Sequence, residues 1–327
     1  MTNWGQTTNT SGTEPSSICG LSPIRSLAFS SILAFLACAQ VAQAQMPPSY
    51  QGLWWRSPAG SESGWGLNIA HQGDILFATW FTYDTDGSGM WLVMPETRLS
   101  SMMDYGDDYG YGYGYGMGMM GKIEYAGAIY RTTGPAFSAV PFNPSSVAAT
   151  AVGLATLSFT DAANGTFTYT VNGVTQMKPI TRLVYSSPVP GCDFNTSVAS
   201  TAYQDIWWAP GGVESGWGVN LTHQGDILFA TWFTYGSDRK GMWIIMSNGA
   251  KTGPNTFAGG LYRTRGPAFN AASWDATKVE VTPAGSATFA FSDANNGTFA
   301  YTLDGVSQVK AITRMVYSSP VSVCRMP

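Results

Sequence analysis

Glu62-Ser-Gly-Trp-Gly-Leu-Asn-Ile-Ala-His-Gln-Gly-Asp-Ile-Leu-Phe-Ala-Thr-Trp-Phe-Thr-Tyr83 returns as Glu214–Tyr235 with three mild changes, Leu67/Val219, Ile69/Leu221 and Ala70/Thr222. Within the block, Ile75–Tyr83 alternates strictly. Phe77, Phe81 and Tyr83 fall on one face and Leu76 and Trp80 on the other, a period of two that specifies a β-strand. His71-Gln-Gly-Asp74 reads as the turn joining this strand to a preceding one over Trp65–His71, with its polar side chains capping backbone groups.

Working outward, the duplication continues. Gly89-Met-Trp recurs at Gly241, Tyr130–Phe137 at Tyr262–Phe269, and Asp161…Asn164-Gly-Thr-Phe at Asp293…Asn296-Gly-Thr-Phe. Thr166–Val171 alternates and meets Asn172-Gly173, a type I′ hairpin signal into Val174–Tyr185; Asp304-Gly305 repeats it. With Leu53–Arg56, Met90–Met94, Ile123–Thr132 and Val152–Thr160, each copy has about eight short strands and no helical period. The reading is all-β: two tandem antiparallel domains, each an up-and-down barrel or curved meander, with a sandwich as runner-up. Residues 1–44 read as a signal peptide, 45–192 as the first repeat and 193–327 as the second. The first repeat carries a Met/Tyr/Gly-rich loop over 97–121.

Arg25, the apolar run Leu27–Ala39 and the small-residue pattern ending at Ala44 form a secretory leader with cleavage near Ala44, which predicts a secreted protein, extracellular or periplasmic. No later segment approaches the length of a transmembrane helix. Only Cys192 and Cys324 then remain, each following a copied Tyr-Ser-Ser-Pro-Val segment. They pair with each other in an oxidising compartment, or between molecules. Charged residues are 11% of the chain and the net charge is −4. With no basic stripe, nucleic acid is excluded as a partner.

The wording of the block, followed by Tyr130-Arg-Thr-Thr-Gly-Pro-Ala-Phe137, resembles a repeat unit of secreted proteobacterial proteins that carries no assigned activity. The resemblance spans nearly all of Leu53–Val321. It implies secretion and the repeat unit, and no chemistry.

The two copies have diverged unevenly. Ser138–Leu157 and Asn270–Phe289 agree at only six of 20 positions, while Glu62–Tyr83 barely changed. Either folding or a ligand restrains that block. His71 and His223, with Glu62 and Asp74 or Glu214 and Asp226 nearby, form no recognisable catalytic constellation, and no spacing matches a zinc site. The expectation is a non-catalytic binding or adhesion protein.

Five tryptophans match between the copies, among them Trp65, Trp80 and Trp91 with Trp217, Trp232 and Trp243. Because Ile75–Tyr83 is apolar on both faces, its outer face is covered by the other domain or another molecule, or is an exposed aromatic platform. Together with Asn68, Asn220, His71, His223, Arg131 and Arg263, the tryptophans are the candidate ligand-binding residues. The ligand would be a glycan, a small apolar molecule or a protein surface. Met102, Met103, Met117, Met119 and Met120 make the loop a candidate copper(I) site, which gives an alternative function in copper binding. Self-assembly into a structural subunit is the third reading.

Overall fold

The computed structural model describes residues 48–102 and 122–327. In the first repeat the alternating segments become β1 (Gly52–Arg56), β2 (Gly66–Gln72), β3 (Ile75–Tyr83), β4 (Gly89–Met102), β5 (Ile123–Thr133), β6 (Ala148–Phe159), β7 (Asn164–Val171) and β8 (Val174–Arg182). A short β9 (Gly191–Asp193) follows. The second repeat supplies β10 (Asp205–Trp208), β11 (Gly218–Gln224), β12 (Ile227–Tyr235), β13 (Gly241–Gly253), β14 (Thr256–Arg265), β15 (Glu280–Phe291), β16 (Asn296–Leu303) and β17 (Val306–Arg314), and β18 (Val323–Arg325) ends the chain.

Each set of eight closes into an antiparallel barrel in which every strand pairs with its sequence neighbours. Closure comes from the first and last strands, with Trp54 opposite Arg182 and Trp207 opposite Arg314. The protein is therefore a pair of up-and-down barrels, and the two-sheet sandwich is excluded. The hairpin turns have the expected backbone: φ is 49° at Asn172 and 50° at Asp304, each followed by glycine near 80°. Two differences from the sequence reading stand out. Thr97–Met102, expected as the start of a loop, continue β4 and pair with β5 through Met102 opposite Ile123. The 192/193 boundary falls inside β9, which belongs to neither barrel and pairs with β18. The expected leader 1–44 and the loop residues 103–121 lie outside the described residues.

The alternation decides what each face buries. Leu76, Ala78 and Trp80 of β3 turn into the first barrel, packing with Trp54, Leu67, Leu157 and Phe167. Phe81 and Tyr83, on the opposite face, join the core cluster of the second barrel. The two-faced apolar strand is thus covered by the other domain. Cys192 and Cys324 form one intramolecular disulfide across the β9–β18 pair, closing a loop with a sequence separation of 132. The intermolecular alternative does not apply to this arrangement.

Candidate functional site: the seam between the barrels

The barrels meet in a seam whose contacts come in reciprocal pairs, as in an isologous dimer interface contained in one chain. The indole N–H of Trp91 donates to Thr234 O (3.0 Å) and that of Trp243 donates to Thr82 O (2.8 Å). Trp91 packs on Phe233 and Tyr235, and Trp243 on Phe81 and Tyr83. The copied segment Tyr130–Phe137 crosses to the second barrel, where the Phe137 N–H donates to Tyr235 O. Its counterpart crosses back, and the Phe269 N–H donates to Tyr83 O.

Each crossing strap plugs the other barrel. Phe269 packs edge-on to Trp80, and its carbonyl accepts from the Tyr169 hydroxyl (2.9 Å). Phe137 stands in the same relation to Trp232 and Tyr301 (3.1 Å). Gly134 and Gly266 are required here, because a Cβ at either would penetrate the ring of Tyr235 or Tyr83.

Gln72 and Gln224 fasten the seam a second time. The Gln72 amide oxygen accepts from the N–H groups of Tyr317 (2.9 Å) and Ser318 (3.0 Å), and its amide nitrogen donates to Met315 O (2.8 Å). Gln224 does the same to Tyr185, Ser186 and Leu183. The copied Tyr-Ser-Ser-Pro segments are therefore the partners of the copied His-Gln-Gly-Asp turns. This pairing was missed in the sequence because a polar residue beside a turn reads as a local cap.

The predicted site residues separate into three groups. His71, His223, Trp80 and Trp232 are buried within the barrels. His71 accepts at Nδ1 from the Tyr50 N–H (3.2 Å) and meets the Tyr125 hydroxyl at Nε2 (3.2 Å). Burial pushes its pKa down to about 3. His223 accepts from Tyr203 (3.3 Å) but faces Phe257 where Tyr125 stands, and burial lowers its pKa to about 4. Neither histidine lines the two tryptophan grooves or the polar cleft, and neither belongs to a metal-ligating group among the described residues. Asn68 and Asn220 are buried; Asn220 donates to Thr79 across the seam (2.7 Å).

Trp65, Trp91, Trp217 and Trp243 line two related grooves. The first, about 360 Å³, holds Trp55, Trp65, Phe81 and Trp243, and is floored by Leu183 and Val279. The second, about 230 Å³, holds the matching Trp208, Trp217, Phe233 and Trp91, with Met315 and Val147. Glu62 anchors the rim of the first, accepting from the Trp65 indole (3.0 Å) and Lys178 (2.8 Å), and Glu214 repeats this with Trp217 and Lys310. Glu62 and Glu214 are thus held as structural acceptors. Trp55 and Trp208, half-buried in the groove walls, were not singled out as ligand candidates. Their one signal was a second tryptophan directly after a core one.

Arg131 and Arg263 line a third, polar cleft of about 550 Å³ on the seam. Arg131 is paired with Asp84 (2.5 Å) and Arg263 with Asp304. Of the methionines proposed to hold copper, Met102 ends β4 and the other four lie outside the described residues. No protein-family model, curated protein or solved structure matches this chain.

Proposed function

We propose that the protein is a secreted, non-catalytic binding protein that takes small apolar ligands in the paired tryptophan grooves of its seam. The carrying observation is that one groove occurs twice, built from matched residues (Trp55/Trp208, Trp65/Trp217, Phe81/Phe233, Trp243/Trp91). Mostly apolar concavities bounded by aromatic side chains and a few polar groups are the usual form of a small-molecule site. In the larger groove the half-buried ring of Trp55 stands with Trp65, Phe81 and Trp243 and gives the ligand an aromatic wall. The leader sequence and the Cys192–Cys324 bond support an oxidising destination.

The test is titration of the full chain with the apolar fluorophore 1-aminoanthracene. Saturable enhancement is expected, weakened by Trp55→Ala and Trp208→Ala and unaffected by the exposed substitution Lys278→Ala. Enhancement that never saturates, or that both tryptophan variants retain in full, ends this reading.

A further inference from the structure

The polar cleft breaks the symmetry of the seam. Eight of its eighteen lining residues are charged, in a chain where charged residues are 11% of the total. Four are carboxylates, Asp84, Asp86, Asp238 and Asp304, and four are cations, Arg131, Lys240, Arg263 and Arg265. Among the charged residues of the cleft, four stand where the other repeat has an uncharged residue: Asp84/Gly236, Ser88/Lys240, Thr133/Arg265 and Asn172/Asp304. The reciprocal indole, strap and glutamine contacts of the seam are made by side chains that are the same in both copies: Trp91/Trp243, Phe137/Phe269 and Gln72/Gln224. Here each charged member of the four pairs faces the same cleft.

The ion pairs are not all internal. Lys240 and Arg265 have no carboxylate within ion-pair distance among the described residues, and the Arg265 guanidinium donates only to Asp86 O (2.9 Å). The Asp86 carboxylate accepts from the Ser88 N–H (2.8 Å) and hydroxyl (2.5 Å), which fixes its orientation. Phe137 and Met242 give the wall a half-buried apolar stretch.

We propose that this cleft, which adjoins the larger apolar groove through Trp243 and Thr264, is a binding site for a neutral oligosaccharide. Four acids and four bases cancel, so the cleft carries no net charge with which to favour an ion of either sign. A sugar hydroxyl both donates and accepts, and it is served best where carboxylates and guanidinium groups alternate. Planar, bidentate groups suit vicinal diols, while the C–H face of a pyranose needs an apolar wall. A volume of about 550 Å³ lies within the range for small-ligand sites and accommodates a few sugar rings. A saccharide chain also has direction. A cleft with true twofold symmetry would read it equally both ways, and the four differing positions remove that degeneracy.

The experiment is isothermal titration of the full chain with cellotriose, maltotriose and chitotriose, against trigalacturonate as the anionic counterpart. Saturable binding of at least one neutral trimer is expected. Two variants carry the residue the other repeat already has at the same place, Asp304→Asn and the pair Lys240→Ser with Arg265→Thr. Each should weaken binding about tenfold or more, while the exposed substitution Lys278→Ala leaves it unchanged. Amide shifts of the unmutated protein give a readout independent of variant stability, with perturbation expected in residues 84–89 and 236–241. Preference for trigalacturonate, full affinity in both variants, shifts confined to other regions, or no heat from any neutral trimer overturns the proposal. The 1-aminoanthracene titration is independent of each of these outcomes.

Discussion

The indole N–H of Trp91 is bonded to the backbone carbonyl of Thr234 in the other barrel, 3.0 Å away and out of reach of water. The bond and the ring's packing on Phe233 and Tyr235 make Trp91 part of two barrels at once. Trp91→Ala is expected to cost about 3–5 kcal/mol, as for large buried aromatics, and Trp91→Phe about 1–2 kcal/mol for the lost bond. Urea unfolding measures both. A cost below about 1 kcal/mol for the alanine variant would show that the seam does not depend on this residue.

Gln72→Ala removes three hydrogen bonds that hold Met315–Ser318 against the first barrel. The carbonyl and two N–H groups left behind are part-buried, so the loss should be about 2–3 kcal/mol. Hydrogen exchange should rise in residues 315–325 before it rises in the strands. Gln224→Ala should do the same to residues 183–189.

Reduction of the Cys192–Cys324 bond should destabilise the protein by about 2–5 kcal/mol, because the closed loop is long. Denaturation of a Cys192→Ser, Cys324→Ser double variant measures it. On a non-reducing gel the oxidised protein should run as a monomer that slows on reduction.

Acid should destabilise the fold through His71 and His223. Both have folded pKa values below the ordinary 6.5, at about 3 and about 4, so below pH 6.5 the unfolded chain binds more protons than the native one. Stability is then fully present above pH 6.5 and falls as pH drops towards 4. At pH 4.5 the loss from His71 alone is about 2–3 kcal/mol relative to pH 7. Replacing both histidines with asparagine should flatten the stability profile between pH 7 and 4.5. An unchanged slope would show that these side chains are solvated.

Much of this architecture was legible before the fold was known. Period-two alternation and the Asn172-Gly173 turn are local signals, and they placed the strands of both barrels. The two apolar faces of Ile75–Tyr83 called for a cover or an exposed platform on the outer face, and the other barrel supplies the cover. The partners could not be read so easily. Nothing near Tyr169 points to the carbonyl of Phe269, and nothing near Gln72 points to Tyr317, because each contact joins residues far apart in the chain. Thr97–Met102 read as loop because they run into a low-complexity stretch, although their backbone groups pair with β5. The polar cleft was invisible for the same reason: its charges are scattered from Asp84 to Asp304 and gather only when the barrels dock. The uneven divergence of the copies now has a physical account. Glu62–Tyr83 is buried on both sides, one by its own barrel and the other by its neighbour. By contrast Ala148–Ala151 of β6 and Glu280–Pro283 of β15 face solvent.

The crossing straps also impose an order on biosynthesis. The mouth of the first barrel is stoppered by Phe269 and flanked by Trp274, whose indole N–H donates to Ser63 O. A chain that has delivered all eight strands of that barrel has therefore made an unsealed object, with the Trp80 face that Phe269 covers left open until residues 265–279 follow. The first repeat must wait for the second, and the second is stoppered by a strap already made. The chain can close its later barrel as it is completed, while the earlier one is finished last.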